Sequence, residues 1–163
     1  MSHRVEAREI TMQSVTTPKV KPVPAGYHTV TPYLIVEGAP KLIDFLKRTF
    51  NAEETVRMNR PDGQVSHAEV KIGDSIVMLA DQTPEFKAFQ SQLYVYVNNV
   101  DETYKHALQA GGKSVQEPKD QFYGDRNASV KDPMGNTWGI ATHVEDISPD
   151  EMKKRMQAQR PGQ

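Results

Sequence analysis

Residues 93–111 read LYVYVNNVDETYKHALQAG, and this stretch decides the fold. Leu93-Tyr94-Val95-Tyr96-Val97 alternates aliphatic and aromatic side chains with the period of a strand. Asn99 then offers a side-chain oxygen to the first free N–H groups of a helix, with Glu102 three residues on as its reciprocal partner. Val100, Tyr104, Ala107 and Leu108 recur at helical spacing, and Gly111 ends the run with the residue that best tolerates a left-handed conformation. Further along lie a strand near 113–116, another at 128–131, a turn at Asp132-Pro133-Met134-Gly135, and a last strand at 137–143.

The same order precedes this stretch. Tyr33-Leu34-Ile35-Val36 is a compact β run, and Pro40 sits where a first helical turn accepts it. Leu42, Ile43, Leu46 and Phe50 form the helical stripe, and Asn51 is placed to cap its end. A strand near 54–58, a turn at Pro61-Asp62-Gly63, and two runs at 65–72 and 75–81 follow, the last two joined by a hairpin at Gly73-Asp74. Val36 corresponds to Val97, Asn51 to Gly111 and Gly73 to Gly135, a constant offset of 60 to 62 residues. The pattern predicts an α+β chain of paired βαβββ modules spanning 27–81 and 92–143. Together they make one domain over 27–147.

Outside the repeats, residues 1–26 hold no aromatic side chain and carry Pro18, Pro22 and Pro24, which predicts an extended N-terminal arm. Met12 is a second possible start. In the link over 82–92, Phe86 and Phe89 stand three apart, the spacing of a short helix. Ser148-Pro149-Asp150-Glu151 opens a C-terminal helix within 148–163. The 163 residues carry 20 Lys+Arg against 21 Asp+Glu, a net charge of −1, and no cysteine. Near-neutral charge argues against nucleic acid as a partner, since phosphate binding needs a basic face. The missing cysteines exclude disulfides, thiolate-held zinc and thiol nucleophiles. No apolar run approaches the roughly 20 residues that span a bilayer, and no apolar signal core opens the chain, so a cytoplasmic protein without a membrane partner is expected.

Several segments make the chain resemble the vicinal oxygen chelate superfamily of glyoxalases, bleomycin-resistance proteins and dioxygenases, and within it the PhnB-like branch. They are Tyr27–Val36, His67-Ala68-Glu69, Ile72–Asp81, Phe122–Arg126, Asp132–Trp138 and Thr142–Asp146. The resemblance implies a glyoxalase/bleomycin-resistance-type fold in which each module curls into half of a cup, a small organic ligand in the cavity, and a homodimer. In metal-using members of that superfamily, first and last strands of each module supply His, Glu or Gln ligands. Aligned on those strands, this chain offers Thr31 and Gln92, with Val77 and Gly139 at the other two positions. Shifting the last strands by one offers Met78 and Ile140. Neither set can hold a divalent cation, so no cofactor is expected at the family site.

His67 and Glu69 stand two apart in a strand and share a face with Lys71, while Ala68, Val70 and Ile72 share the other. With Asp81 on the neighbouring strand, they offer the material for a relocated metal or a general base. Tyr33, Tyr94 and Tyr96 face the same way as Thr31 and Gln92, an aromatic lining suited to a planar or amphipathic ligand. Tyr123 and Arg126 precede the last hairpin; Arg126 either clamps an anionic ligand or pairs with a neighbouring carboxylate. His143, at the end of the final strand, is a weaker pocket candidate, and Trp138 is expected on the helix-facing side. Three functions remain open: a metal-free binding protein contacting ligand through His67, Glu69, Tyr33, Gln92, Tyr94, Tyr96, Tyr123 and Arg126; a lyase, isomerase or dioxygenase built on a relocated metal at His67 and Glu69; or a structural or regulatory dimer without a working pocket.

Overall fold

Alternating apolar residues and a glycine-proline start build the first half of the chain. In the computed structural model, which describes residues 20–159, strand β1 spans Tyr33–Val36 and buries Leu34 and Val36 on one face. Gly38, with φ of 97°, turns the chain into helix α1 (Ala39–Phe50), whose Leu42, Ile43, Phe45 and Leu46 are all buried. Each such side chain contributes about 1.5–3 kcal/mol of burial free energy, so this stripe outweighs any propensity term in holding the helix. Asn51 ends α1 in the left-handed conformation, as its position predicts. Strands β2 (Glu53–Asn59), β3 (Val65–Ile72) and β4 (Ser75–Asp81) follow. They form a sheet in the order β1-β4-β3-β2, with β1 parallel to β4 and the rest antiparallel.

The second half repeats this. Strand β5 (Gln92–Tyr96) leads into helix α2 (Val100–Gln109), where the Asn99 side chain accepts from the Glu102 amide at 3.2 Å. Strands β6 (Lys113–Asp120), β7 (Asp125–Lys131) and β8 (Thr137–His143) complete a sheet of order β5-β8-β7-β6, with β5 parallel to β8. A βαβββ unit with a parallel outer pair therefore occurs twice, as the offset of about 60 residues predicts. Helix α3 (Pro149–Ala158) is capped by Ser148 and buries none of its residues. Arg155 anchors it through Glu145 and Glu151.

The two halves meet through α1 and α2. Phe50 of α1 packs on Trp138 of β8 with ring centroids 5.4 Å apart, and Arg48 donates to the Gln109 carbonyl. Trp138 is wholly buried on the helix side, and its indole N–H donates to Asp132, which also accepts from Met134, Asn136 and the Asn136 side chain. The Asp-Pro-x-Gly-Asn turn is thus a buried polar knot that fixes the last hairpin. Two expectations differ. The link over 82–91 forms no helix: Thr83 accepts from the Phe86 amide and Gln82 from the Ala88 amide, and Phe86 and Phe89 stay exposed. Of the expected arm, residues 1–19, with Met12, lie outside the described residues, and residues 20–32 form neither helix nor strand.

Candidate functional site

Strand parity puts two polar clusters on the faces turned away from the helices. In the first sheet Tyr33 lies beside Met78, and Met78 beside Glu69, so these residues share that face with His67. The Tyr33 hydroxyl lies 3.2 Å from His67 Nδ1, and His67 Nε2 lies 3.2 Å from Glu69 Oε1. The Tyr27 hydroxyl, from the irregular segment before β1, donates to Glu69 Oε2. Tyr33, His67, Glu69 and Tyr27 therefore form one hydrogen-bonded chain across the sheet. The Tyr27 hydroxyl, and after it His67, hold the Glu69 carboxyl below its usual range against the opposing effect of burial. Tyr27 itself is pushed up, because its proton is held by Glu69.

Asp81 is not part of this cluster, contrary to its expected place near His67. It pairs with Val36, on the helix side, and accepts from the amides of Gly38, Ala39 and Val65 at 2.8 Å each. A carboxylate at the start of a helix stabilises the N–H groups that have no partner in the first turn. Asp81 is the cap of α1, supplied from another strand. Val77 is also helix-facing, beside Val70, so Met78 is the counterpart of Gly139 on the open face.

In the second sheet Gln92, Tyr94 and Tyr96 lie beside Thr137, Gly139 and Ala141, and Asp125, Asn127 and Ser129 continue the same face. Asn127, only 9% exposed, is the hub. Its Oδ1 accepts from Gln116 at 3.0 Å and Gln121 at 2.8 Å, and its Nδ2 donates to the hydroxyls of Tyr94 at 3.1 Å and Tyr123 at 2.7 Å. Beside it Asp125, 4% exposed, accepts from Tyr96 at 2.9 Å and is 2.8 Å from His143 Nδ1. His143 Nε2 reaches Asp146 at 3.0 Å. Asp125 and then Asp146 raise the His143 pKa, the Asp125 contact raises that of Tyr96, and burial raises that of Tyr123.

The structure thus brings Tyr33, His67 and Glu69 together on one face, and Gln92, Tyr94, Tyr96 and Tyr123 on another. Arg126 joins neither. It sits on the helix side of β7, with two 2.8 Å hydrogen bonds to Asp101 that tie α2 to the sheet and one of 3.0 Å to Asp120 of β6, so its guanidinium is occupied by carboxylates. Tyr27, Asp125, Asn127, Gln116 and Gln121 escaped the sequence reading. For Asp125 and Asn127 the signal was present: a strand begun at Ala128 leaves them in a loop, whereas three more residues of strand put them on the open face and Arg126 on the other.

The side chains at the superfamily's metal positions do not fit an ion. Gln92 is a neutral donor, Met78 offers only a thioether, and Gly139 has no side chain. The space at Gly139 is filled: a Cβ there would lie 2.4 Å from Cδ2 of Tyr94, whose ring rests on the glycine. Among the described residues no three His, Asp or Glu side chains gather as a metal site. A cavity of about 1000 Å³ lies between the β3–β4 hairpin, the end of α1, the start of α2 and the outer edge of β5; Tyr94 and Tyr96 line it, whereas Tyr33, His67 and Glu69 do not. Consecutive residues 93–97 line it, so it exposes a strand edge and not a single sheet face.

A doubled βαβββ chain with aromatic and polar open faces defines an α+β protein of two four-stranded sheets. The chain belongs to the Glyoxalase/Bleomycin resistance protein/Dioxygenase superfamily, whose family model matches residues 26–140. It is 33% identical over 144 residues to an uncharacterised protein of Mycobacterium tuberculosis strain H37Rv, covering 82% of this chain and 85% of that one. Among solved structures, TioX from Micromonospora sp. ML1 superposes with a TM-score of 0.62 at 26% identity, over 71% of this chain and 98% of TioX. TnmS3, an antibiotic binding protein from Streptomyces sp. CB03234, shares the fold with a TM-score of 0.58 at 22% identity, over 72% of this chain and 96% of TnmS3.

Proposed function

We propose that the protein binds a planar or amphipathic small organic molecule on its open sheet faces, without the divalent metal of its metal-using relatives. The observation that carries this reading is the ring of Tyr94 lying on Gly139: where a ligand-donating side chain belongs in the metal-using members, this chain has an aromatic surface. Tyr94 and Tyr96 meet edge to face at 5.4 Å and are about half or more exposed, so an angled aromatic surface with hydroxyl edges is on offer. Gln92 and Tyr123 flank it, and Tyr33, His67 and Glu69 supply polar contacts on the other face. TnmS3 is an antibiotic binding protein on this fold, which supports small-molecule binding as a use of the architecture.

The protein acts as a cytoplasmic homodimer in this reading. Support comes from β5, an edge strand whose outer side opens onto the cleft. Unpaired strand edges seek partners, and a second copy would cover this one.

The test is thermal denaturation with a panel of polycyclic aromatic compounds. A ligand at a hundredfold excess over its dissociation constant stabilises by about 2.7 kcal/mol, which raises Tm by roughly 5–10 °C at this chain length. That rise is expected for at least one compound and is lost in the double variant Tyr94→Ala/Tyr96→Ala. No rise from any compound would contradict this reading. The Tyr33–His67–Glu69–Tyr27 chain favours a second reading, an enzyme with a relocated metal at His67 and Glu69. Stoichiometric zinc, nickel, manganese or iron that disappears on His67→Ala would establish it.

A further inference from the structure

The hydrogen bonds around Asn127 have a direction, and the direction specifies a ligand group. Its Oδ1 already accepts from Gln116 and Gln121, so the side-chain oxygen is saturated. Its two amide hydrogens go to the Tyr94 and Tyr123 oxygens. Each phenol therefore accepts from Asn127 and keeps its own proton for something else. Even if one phenol donates to the other, one O–H remains without an acceptor among the described residues. Tyr94 is 48% exposed and Tyr123 partly so, so a free O–H on either phenol is within reach of a ligand on the open face.

We propose that the Tyr94–Tyr123 pair, polarised by Asn127, is a carbonyl-reading site: it donates a hydrogen bond to a ketone or quinone oxygen of a planar aromatic ligand. Asn127, Gln116 and Gln121 are positioning residues that act through the phenols. Tyr96 has the opposite polarity, since its proton is held by Asp125 and its lone pairs remain for a ligand donor. Adjacent donor and acceptor edges on one aromatic surface match a polycyclic ketone better than a bare hydrocarbon. The proposal rests on the open faces being a ligand site, and its test separates the two.

Fluorene, 9-fluorenone and carbazole have nearly the same tricyclic shape but carry no polar group, an acceptor and a donor respectively. Titrated calorimetrically into the intact protein, fluorenone is expected to bind about threefold to tenfold more tightly than fluorene, the range of one net hydrogen bond. Tyr94→Phe removes that preference, so that fluorenone and fluorene bind the variant alike. Asn127→Asp is nearly isosteric but turns the hub into an acceptor. The phenol protons then point inward, and the preference shifts from fluorenone to carbazole. A merely structural Asn127 would weaken all three compounds alike. Equal binding of fluorene and fluorenone to the native protein overturns the proposal, as does an Asn127→Asp variant that still prefers fluorenone. If the Asn127→Asp variant loses its cooperative thermal transition, the Tyr94→Phe result decides alone; a folded variant that no longer binds fluorene overturns the positioning role of Asn127. Failure of all three compounds to bind overturns the aromatic-site reading and the proposal with it.

Discussion

Gly139 and Tyr94 make a single unit, because the ring occupies the space of the missing Cβ. Gly139→Ala forces the ring aside and separates Tyr94 from Asn127; overpacking of this kind costs about 1–3 kcal/mol, and the half-exposed ring places this site at the lower end. Aromatic-ligand affinity should fall more than Tm does. His143 gives a second residue-scale expectation. Asp125 and Asp146 raise its pKa above the ordinary value of about 6.5. A raised folded-state pKa contributes stability that is complete below the unfolded value and disappears as pH rises through the folded one. The Tm difference between the native protein and His143→Gln should therefore be larger near about pH 6 than near about pH 9. A difference independent of pH would contradict the clamp.

At the scale of elements, Asp81 links the last strand of the first sheet to the start of α1 and to β3 through three amide hydrogen bonds. Removing a cap costs about 0.5–2 kcal/mol, and leaving buried donors without acceptors adds about 1–3, so Asp81→Ala should lower unfolding free energy by roughly 2–4 kcal/mol in urea denaturation. A loss under about 0.5 kcal/mol would mean water replaces the carboxylate. This residue also shows what is legible in a sequence. The stripe of Leu42, Ile43 and Leu46, the Asn99 cap and the Gly73-Asp74 hairpin declare themselves locally and appear as read, although Glu102 faces the Asn99 side-chain amide and not its backbone N–H. Asp81 caps a helix 42 residues earlier, an interaction with no local pattern. The open-face residues were legible only where strand parity was: Tyr33, Tyr94 and Tyr96 sit in clean strands, whereas Asp125 and Asn127 lie where the alternation begins and were read as loop. Of the two roles the sequence leaves open for Arg126, the structure shows pairing with carboxylates, Asp101 and Asp120, and not a place in the ligand-facing clusters.

At the scale of the molecule, α1 and α2 join the two halves, and each half carries its own polar cluster. The repeat predicts this duplication, but side chains at equivalent positions differ: Met78 answers to Gly139, and the His67–Glu69 pair to no matching pair on β7. Light scattering should give a mass twice the 18.3 kDa of the chain; a monomer at micromolar concentration would refute the dimer. The central claim is that an aromatic surface, not a metal, holds the ligand. Its most direct test is calorimetric titration of 9-fluorenone into protein dialysed against a chelator, compared with untreated protein. The account expects the same affinity before and after chelation. Binding that vanishes on chelation and returns with a divalent ion would contradict it.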